Sequence, residues 1–279
     1  MMDAAGAGAP LWIGVVLYET SADALDRLMR SIAVASRAPQ TPSIHVAWID
    51  HSPTDASRSQ LARFFQDPDY CTVAANPGFG AGHNRLMARA FAAGADHYLC
   101  LNPDAVLHPD CIAQLLREVA RQRRPGLVEA AQFPDEHPKR YDRETHATPW
   151  ASGCALLVTS GLHAAIGGFD ETFFMYCEDV DLSWRARVAG FSVAIAPRAL
   201  VHHHVGDRPP GGAMVRQMLT SGAYLGLKYG GRAFTRHCLA ELSALSAAAP
   251  ELPRVPRPDR AMIDIADFSR LFHFAEARW

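Results

Sequence analysis

The sequence lacks the features that define several large classes of protein. Its formal net charge is -2, so no excess of basic residues predicts a nucleic-acid-binding surface, and we expect no nucleic-acid partner. No window approaches the roughly 18 uncharged apolar residues of a transmembrane helix. The six cysteines include no C-x-x-C pair, and the N-terminus has no Lys/Arg-rich start typical of a signal peptide. These absences predict a globular cytoplasmic protein, for which any membrane contact at the inner face would be peripheral.

Short apolar runs alternate with stretches of helical spacing along the first half of the chain. Strands are predicted at 11–18, 43–50, 71–75 and 97–104, each followed by a helical pattern, and further strands at 126–133, 151–158 and 191–197. This succession predicts an α/β fold with a mostly parallel sheet flanked by helices. Ligands bind at the carboxyl ends of such strands, so the polar residues that follow them are candidates for a functional site.

The alternation of strands and helices ends near Gly211, which divides the chain into an α/β domain at 1–210 and an extension at 211–279. The extension is predicted to be mainly helical, with one helix at 214–229 and irregular segments containing Pro and Arg. Its last part, 261–279, has the pattern of an amphipathic helix. Two interpretations stay open: this segment packs on the α/β domain or on a second subunit of a homo-oligomer, or it docks peripherally on a membrane.

An unusual concentration of carboxylates lies within "FDETFFMYCEDVDLSWRARVAG", residues 169–190. Asp170, Glu171, Glu178, Asp179 and Asp181 stand among aromatic residues, where like charges repel and hydration is lost. They are either solvated turn and helix caps, or they include a carboxylate whose pKa is raised towards neutrality, as a general base requires. Either Glu178 or Asp179 could be that base. The residue of the two that is not the base would then orient the base or the substrate.

Three further motifs follow predicted strands. "NPGFGAGHN" opens a helix, but its glycine spacing does not fit a dinucleotide fingerprint; it predicts a helix N-terminus close to a ligand. "LNPD" places Asp104 after a strand, either in a simple turn or as a ligand of Mg²⁺ or Mn²⁺. "VHHHVG" is a weak indication of metal binding, in which His202 and His204 would share one face of a strand and His203 the other.

Taken in order over residues 11–204, these motifs resemble family 2 inverting glycosyltransferases of the GT-A fold, and most of all their rhamnosyltransferase-like branch. The resemblance implies transfer of a sugar, with rhamnose from dTDP-rhamnose as the first choice and a UDP-sugar as the next. The acceptor would be a hydroxyl of a glycan or lipid-linked molecule of the cell envelope, and the cofactor Mg²⁺ or Mn²⁺. Two alternatives stay open: a catalytically inactive sugar-nucleotide binding module, and a nucleotidyltransferase-like enzyme.

The resemblance also assigns roles to residues. Asp179 becomes the general base with Glu178 beside it, and Asp104 and His203 bind the metal, with His202 as the fallback. Asp50 would accept the imide N–H of the donor's base, although His51 and Glu19 depart from the family's usual Asn. Other donor contacts are expected at Tyr18, Glu19, Asn76, Gly78, Phe79, Gly80, His83, Asn84 and Asn102. Acceptor or sugar contacts are expected at Trp150, Ser152, Gly153, Asp170, Phe174 and Tyr176.

Overall fold

The computed structural model describes residues 9–203 (apart from 55, 67, 74, 136 and 138), 212–245 and 252. Its strands are β1 Leu11–Leu17, β2 Ile44–Asp50, β3 Asp69–Thr72, β4 His97–Leu101, β5 Val106–Leu107, β6 Pro125–Pro134, β7 Ala155–Thr159 and β8 Ser192–His203. Its helices are α1 Ala22–Ala35, α2 Ala56–Leu61, α3 Phe79–Ala92, α4 Cys111–Arg121, α5 Ser160–Ile166, α6 Glu178–Val188, α7 Gly212–Lys228 and α8 Arg232–Leu245.

All of these strands form one sheet in the order β3-β2-β1-β4-β7-β6-β8-β5. The first four are mutually parallel; β7 runs antiparallel to both of its neighbours, and β8 runs parallel to β6. Six strands therefore point the same way, and β5 and β7 oppose them. The predicted α/β fold with a mostly parallel, mixed sheet is confirmed, and the carboxyl ends of β1, β2, β4 and β8 share one edge.

The apolar run of β1 is buried on both faces, which explains why its hydrophobic residues do not alternate with polar ones. Ile13, Val15 and Leu17 pack in the layer that contains α1, whereas Trp12 packs in the opposite layer with residues of α3. The predicted cap of α1 is also present, because the Ser21 hydroxyl accepts the N–H of Ala24 at 3.2 Å. Helices therefore cover both faces of the sheet.

Several predicted strand limits are wrong, each for a local reason. The third strand is 69–72 rather than 71–75, because its ladder with β2 ends opposite Asp50. The fourth ends at Leu101, after which Asn102 and Ala105 close a turn by a backbone hydrogen bond. Residues 151–154 precede β7 and bond to side chains instead of continuing the ladder. The last strand extends from 192 through His203, and the short β5 was not predicted.

The described part of the extension, 212–245 and 252, contains two helices where one was predicted at 214–229, since Gly230 turns the chain with φ 76° between α7 and α8. The segment α7 packs on the acidic segment 169–190. Tyr224 meets Phe173 edge-to-face at 4.7 Å, and the Ser221 hydroxyl donates to the Met175 carbonyl at 2.6 Å. The proposed amphipathic helix at 261–279 lies outside the described residues. Among those described, no helix is long and apolar enough to cross a membrane.

Tyr229 provides a test of how firmly the extension is attached. Its hydroxyl donates to Asp181 Oδ1 at 2.7 Å, and this buried carboxylate also binds Arg185 and Lys228. Removing a hydrogen bond to a buried charge costs about 1–3 kcal/mol. We therefore expect Tyr229→Phe to lower the free energy of unfolding by that amount in urea titrations. Tyr18→Phe, at a residue that is 53% exposed, is the control; equal stabilities of the two variants would contradict the attachment.

Candidate active site

The structure brings several predicted residues together at the carboxyl edge of the sheet. Asp104 follows β4, His203 ends β8, and the carboxylates Glu178 and Asp179 begin α6. Gly153, just before β7, links the groups because its N–H donates to Asp179 Oδ2 at 3.0 Å. These residues come from four separate parts of the chain. The carboxyl ends of β4 and β8 and the start of the antiparallel β7 place them at one edge of the sheet.

Asp104 and His203 form the pair expected to hold a metal ion. Asp104 Oδ1 lies 3.4 Å from His203 Nε2, and Asn102 Nδ2 lies 3.4 Å from the same nitrogen. His203 Nδ1 lies 3.0 Å from Gln132 Oε1, an acceptor that orients the ring so that Nε2 faces Asp104. Burial acts to raise the pKa of Asp104, but the contact with His203 outweighs it and leaves the pKa lowered.

The pair fits a hard divalent ion bound together with phosphates. Such an ion needs only one or two protein ligands besides the phosphate oxygens and water. Within the described residues no group of three or more His, Cys, Asp or Glu is placed to hold a metal. Of the neighbouring histidines, His202 is exposed while His203 is buried, as expected for adjacent residues of a strand; His204 lies outside the described residues.

Asp179 is held by backbone groups and stays partly exposed. In addition to Gly153, the N–H of Val180 donates to it, at 2.8 Å from Oδ1. Burial raises the pKa of Asp179, while the Gly153 N–H and the charge of Lys139 oppose that increase. The result is a fixed, accessible carboxylate whose pKa lies above its ordinary value.

Glu178 differs from Asp179 although it is the adjacent residue. It is only 5% exposed, and its Oε2 has no hydrogen-bond partner among the described residues. Burial, reinforced by the charge of Asp179, raises the pKa of Glu178 well above its ordinary value. A raised pKa of this kind favours the protonated, neutral form of the carboxyl group. Asp179, and not Glu178, is therefore the residue of this pair that a substrate can reach.

The backbone that leads into these two residues is strained. Tyr176 and Cys177 both adopt positive φ, at 67° and 66°, which is rare for residues with a Cβ and costs about 1–3 kcal/mol each. The preceding residue is fixed, because the Met175 carbonyl accepts the Ser221 hydroxyl. The strained pair turns the chain sharply, so that α6 begins with Glu178 pointing inward and Asp179 at the site.

The other carboxylates of the segment bind protein groups. Asp170 Oδ2 pairs with Lys228 Nζ at 2.6 Å, and Lys228 also reaches Asp181 at 2.5 Å. Glu171 accepts from Asn84 Nδ2 at 2.9 Å. Asn84 in addition binds both the carbonyl and the N–H of Phe169, at 2.9 and 2.8 Å. Asp170 and Asn84, predicted to contact sugar and donor, thus hold the acidic segment in place in this structure.

The glycine motif brings α3 against the acidic segment. Gly78 has φ 98°, and a Cβ there would lie 2.1 Å from the Phe174 carbonyl oxygen, to which Phe79 N–H donates at 3.0 Å. A Cβ on Gly80 would lie 2.8 Å from Phe169 Cβ. Asn76 completes the turn by accepting the Gly78 N–H at 3.0 Å. The glycines thus permit close approach of protein to protein; a ligand at the α3 N-terminus stays a prediction.

His83 and Asp50 are both buried within the protein. His83 Nδ1 lies 2.8 Å from the Tyr98 hydroxyl, and burial lowers the pKa of His83 to about 3. Asp50 Oδ1 accepts the Ser52 N–H at 2.8 Å, and Oδ2 accepts the Tyr70 hydroxyl at 2.6 Å. The Ser52 hydroxyl in turn accepts the N–H of Glu19, whose φ is 46°. Tyr18, predicted beside them, is exposed, and contact of these residues with a nucleotide base stays a prediction.

Sequence reasoning missed a buried ion pair behind the site. Lys139 Nζ lies 2.6 Å from Glu129 Oε2, with both side chains almost fully buried. The Ser152 N–H donates to the same Glu129 oxygen, and Lys139 lies 3.9 Å from the ring centroid of the buried Trp150. Two signals were available: a charged residue within the apolar run of β6, and a long loop, 134–150, of the kind that often carries function.

This arrangement of sheet and edge residues defines a class, the GT-A glycosyltransferases. A mannosyltransferase from Pyrobaculum calidifontis, solved with GDP-Man and Mn²⁺, matches with a TM-score of 0.60 at 17% identity, covering 87% of this chain and 76% of that chain. GalNAc-T7, solved with UDP, GalNAc and Mn²⁺, matches with a TM-score of 0.66 at 11% identity, covering 94% of this chain and 56% of that one. At these identities the likeness shows the fold.

The model of the family described as "Glycosyl transferase family 2" matches residues 12–181, and the chain belongs to that family. An N-acetylglucosaminyl-diphospho-decaprenol L-rhamnosyltransferase of Mycobacterium tuberculosis is 28% identical, over 64% of this chain and 71% of its own length. The rhamnosyltransferase WbbL of Escherichia coli K12 is 24% identical, over 52% of this chain and 67% of its own length. The protein is therefore a glycosyltransferase.

The environment of Glu178 predicts how stability depends on pH. The unfolded chain releases this proton near the ordinary value of 4.5, whereas the folded protein holds it to higher pH. Above that value the unfolded state binds fewer protons, so stability falls as pH rises towards the folded pKa, by at most about 1.4 kcal/mol per pH unit. Glu178→Gln should therefore lose less stability than the wild type as pH rises from about 5 through the interval between the unfolded and folded pKa values.

Urea unfolding across that pH interval measures the effect. Glu241→Gln, at an exposed position of α8, is the matched control and should follow the wild type. A Glu178→Gln protein with the same pH slope as wild type would show that Glu178 is ionised in the folded state.

Proposed function

We propose that this glycosyltransferase inverts configuration as it moves rhamnose from dTDP-rhamnose to a hydroxyl of a glycan or lipid-linked acceptor, with Asp179 as the general base. The proposal depends above all on Asp179, which is fixed by Gly153, partly exposed, and at the same edge of the sheet as Asp104 and His203. The choice of rhamnose is supported by the names of the two curated relatives. We further propose residues 1–210 as the catalytic domain, with 211–279 as its extension.

The chemistry requires one proton transfer and one displacement. Asp179 takes the proton of the acceptor hydroxyl while that oxygen forms a bond to the anomeric carbon of the donor. The bond from this carbon to the diphosphate breaks on the opposite face, and the nucleoside diphosphate leaves with the electron pair. The raised pKa of Asp179 suits this step, because a base is most effective when its pKa lies close to the working pH.

Asp104 and His203 are the residues that would hold a divalent ion, whose charge would offset that of the diphosphate when bound. His203 is oriented for this by Gln132, and Asp104 has an ionised carboxylate at neutral pH because its pKa is lowered. Both structural neighbours contain Mn²⁺, which supports a metal of this type. Asn102 lies beside the pair and would complete the polar surface that faces the donor.

The acceptor would approach along the exposed part of the acidic segment. Phe174 is 37% exposed and Tyr176 is half-buried, so both present apolar faces suited to a sugar ring. Trp150 is buried beneath Lys139 and would support the site without contacting the substrate. If the acceptor is lipid-linked, as the name of the mycobacterial relative indicates for that protein, the enzyme would work at a membrane surface.

A donor panel tests the proposed function and its metal dependence together. Ligands that bind the native state raise its stability in proportion to their affinity. We expect dTDP-rhamnose, and then UDP-sugars, to raise the melting temperature in the presence of Mn²⁺ and to do so much less in EDTA. Asp104→Ala should remain folded and lose most of the Mn²⁺-dependent shift and transfer. Tight binding of GDP-sugars alone would refute the donor assignment, and full turnover in excess EDTA would refute the metal.

The base assignment is tested by two nearly isosteric variants. Asp179→Asn removes the proton acceptor, so kcat should fall about 10²–10⁴-fold while donor affinity changes only a few-fold. Glu178→Gln places a neutral amide, similar in shape to a protonated carboxyl group, at a buried position. We therefore expect a smaller fall in kcat for this variant than for Asp179→Asn. Steady-state kinetics with saturating donor separate these effects. Near wild-type transfer by Asp179→Asn, together with an inactive Glu178→Gln, would move the base to Glu178.

A further inference from the structure

A second concave region, lined by basic residues, lies between α4, the loop at 143–146 and β8. It is a groove of about 480 Å³. Four arginines line it, Arg117, Arg121, Arg143 and Arg198, and it shares no lining residue with the candidate active site. A chain with a formal net charge of -2 thus concentrates positive charge in one groove.

The positive charge of the groove is not neutralised by its carboxylate. Glu118 is the one acidic residue among those that line it, and both its oxygens are engaged. Its Oε2 lies 2.7 Å from His146 Nδ1 and 3.9 Å from Arg121 Nη1, and its Oε1 accepts Gln122 Nε2 at 2.5 Å. This single carboxylate therefore offsets at most one of the four guanidinium charges. Outside the groove lining, the Asp142 carboxylate accepts groups of its own turn, including the Thr145 N–H at 2.7 Å. The excess of guanidinium groups therefore remains.

Two of the arginines have no partner within the part of the chain that the structure describes. Arg143 and Arg198 are exposed and make no hydrogen bond or ion pair there, whereas Arg121 donates to the Glu144 carbonyl and Arg117 to Gln40 at 3.3 Å. Arg198 lies where the β6–β8 ladder is irregular, because Ala196 pairs with Ala130 but Leu200 pairs with Ala131. This irregularity carries Arg198 out of the ladder and over the groove.

We propose that this groove is a binding site for a phosphate or diphosphate group. Several guanidinium groups around one concave space match the bidentate recognition of phosphate oxygens, which arginine performs better than lysine. The volume falls in the range of small-molecule sites, so it admits a phosphate together with part of the molecule that carries it. Arg198 and His203 are five positions apart along β8, about 16 Å of strand, so the group bound here is distinct from the donor diphosphate.

Two sources present this chemistry, the headgroup of an anionic lipid and a soluble phosphorylated molecule. The experiment uses Arg143→Glu/Arg198→Glu, since neither residue supports the fold through a contact of its own. The matched control is Arg232→Glu/Arg236→Glu, which reverses the same charge at two exposed positions of α8. All measurements are made in EDTA without sugar nucleotide, so that their outcome does not depend on catalysis at the other site.

Inorganic pyrophosphate is titrated by calorimetry, and flotation is measured with phosphatidylcholine vesicles that contain phosphatidic acid. We expect Arg143→Glu/Arg198→Glu, the groove variant, to bind pyrophosphate, the vesicles or both at least tenfold more weakly than the wild type. The control should retain wild-type affinity for both probes. Loss confined to the vesicles identifies a lipid headgroup, and loss confined to pyrophosphate identifies a soluble ligand. Wild-type protein that binds neither probe, or a groove variant that binds both like the control, would overturn the proposal.

Discussion

Burying several carboxylates around the start of one helix costs free energy, and most of the site's architecture follows from how that cost is met. An ionised carboxylate in a low-dielectric region needs a cation or several hydrogen-bond donors. Asp181 receives both, from Arg185, Lys228 and Tyr229. Asp179 receives backbone N–H groups, whereas Glu178 Oε2 has no such partner among the described residues and the pKa of Glu178 is raised well above its ordinary value. Three carboxylates within four residues therefore lie in three different environments.

The same constraint makes the extension part of the architecture around Asp179. Lys228 joins Asp170 to Asp181, and Tyr229 also stacks edge-to-face on Trp184 of α6 at 4.9 Å. These contacts lie at both ends of the strained turn at Tyr176 and Cys177. A strained backbone persists only where its surroundings determine it more strongly than its own preference. The described part of the extension supplies that restraint, so α7 helps to hold Asp179 in place.

The sequence was sufficient for those features that depend on local pattern. The buried β1, the Ser21 cap, the parallel strands and the exposed and buried faces of His202 and His203 all follow from residues close in the chain. Long-range pairings were not accessible in this way. Nothing in the local pattern indicates that Asp170 binds Lys228, 58 residues later, or that Asn84 bonds to Glu171, 87 residues later. The donor and sugar contacts of Asp170 and Asn84 were predicted from the positions of these residues in their motifs. Those positions carry no information about such long-range partners.

The buried pair of Lys139 and Glu129 has a consequence for Asp179, the proposed base, that neither residue's position in the sequence reveals. Lys139 lowers the pKa of Asp179, opposing burial, while Glu129 holds Lys139 in place and also orients residue 152 through its N–H. Gly153, the next residue, donates to Asp179 itself. One ion pair therefore acts on Asp179 in two ways, through charge and through the backbone at 152–153. Because Lys139 lies in the loop 134–150, a change in that loop would alter both the pKa of Asp179 and the position of its hydrogen-bond donor. The long loop is therefore coupled to Asp179 both electrostatically and through the backbone hydrogen bonds at 152–153, although Lys139 itself is almost completely shielded from solvent.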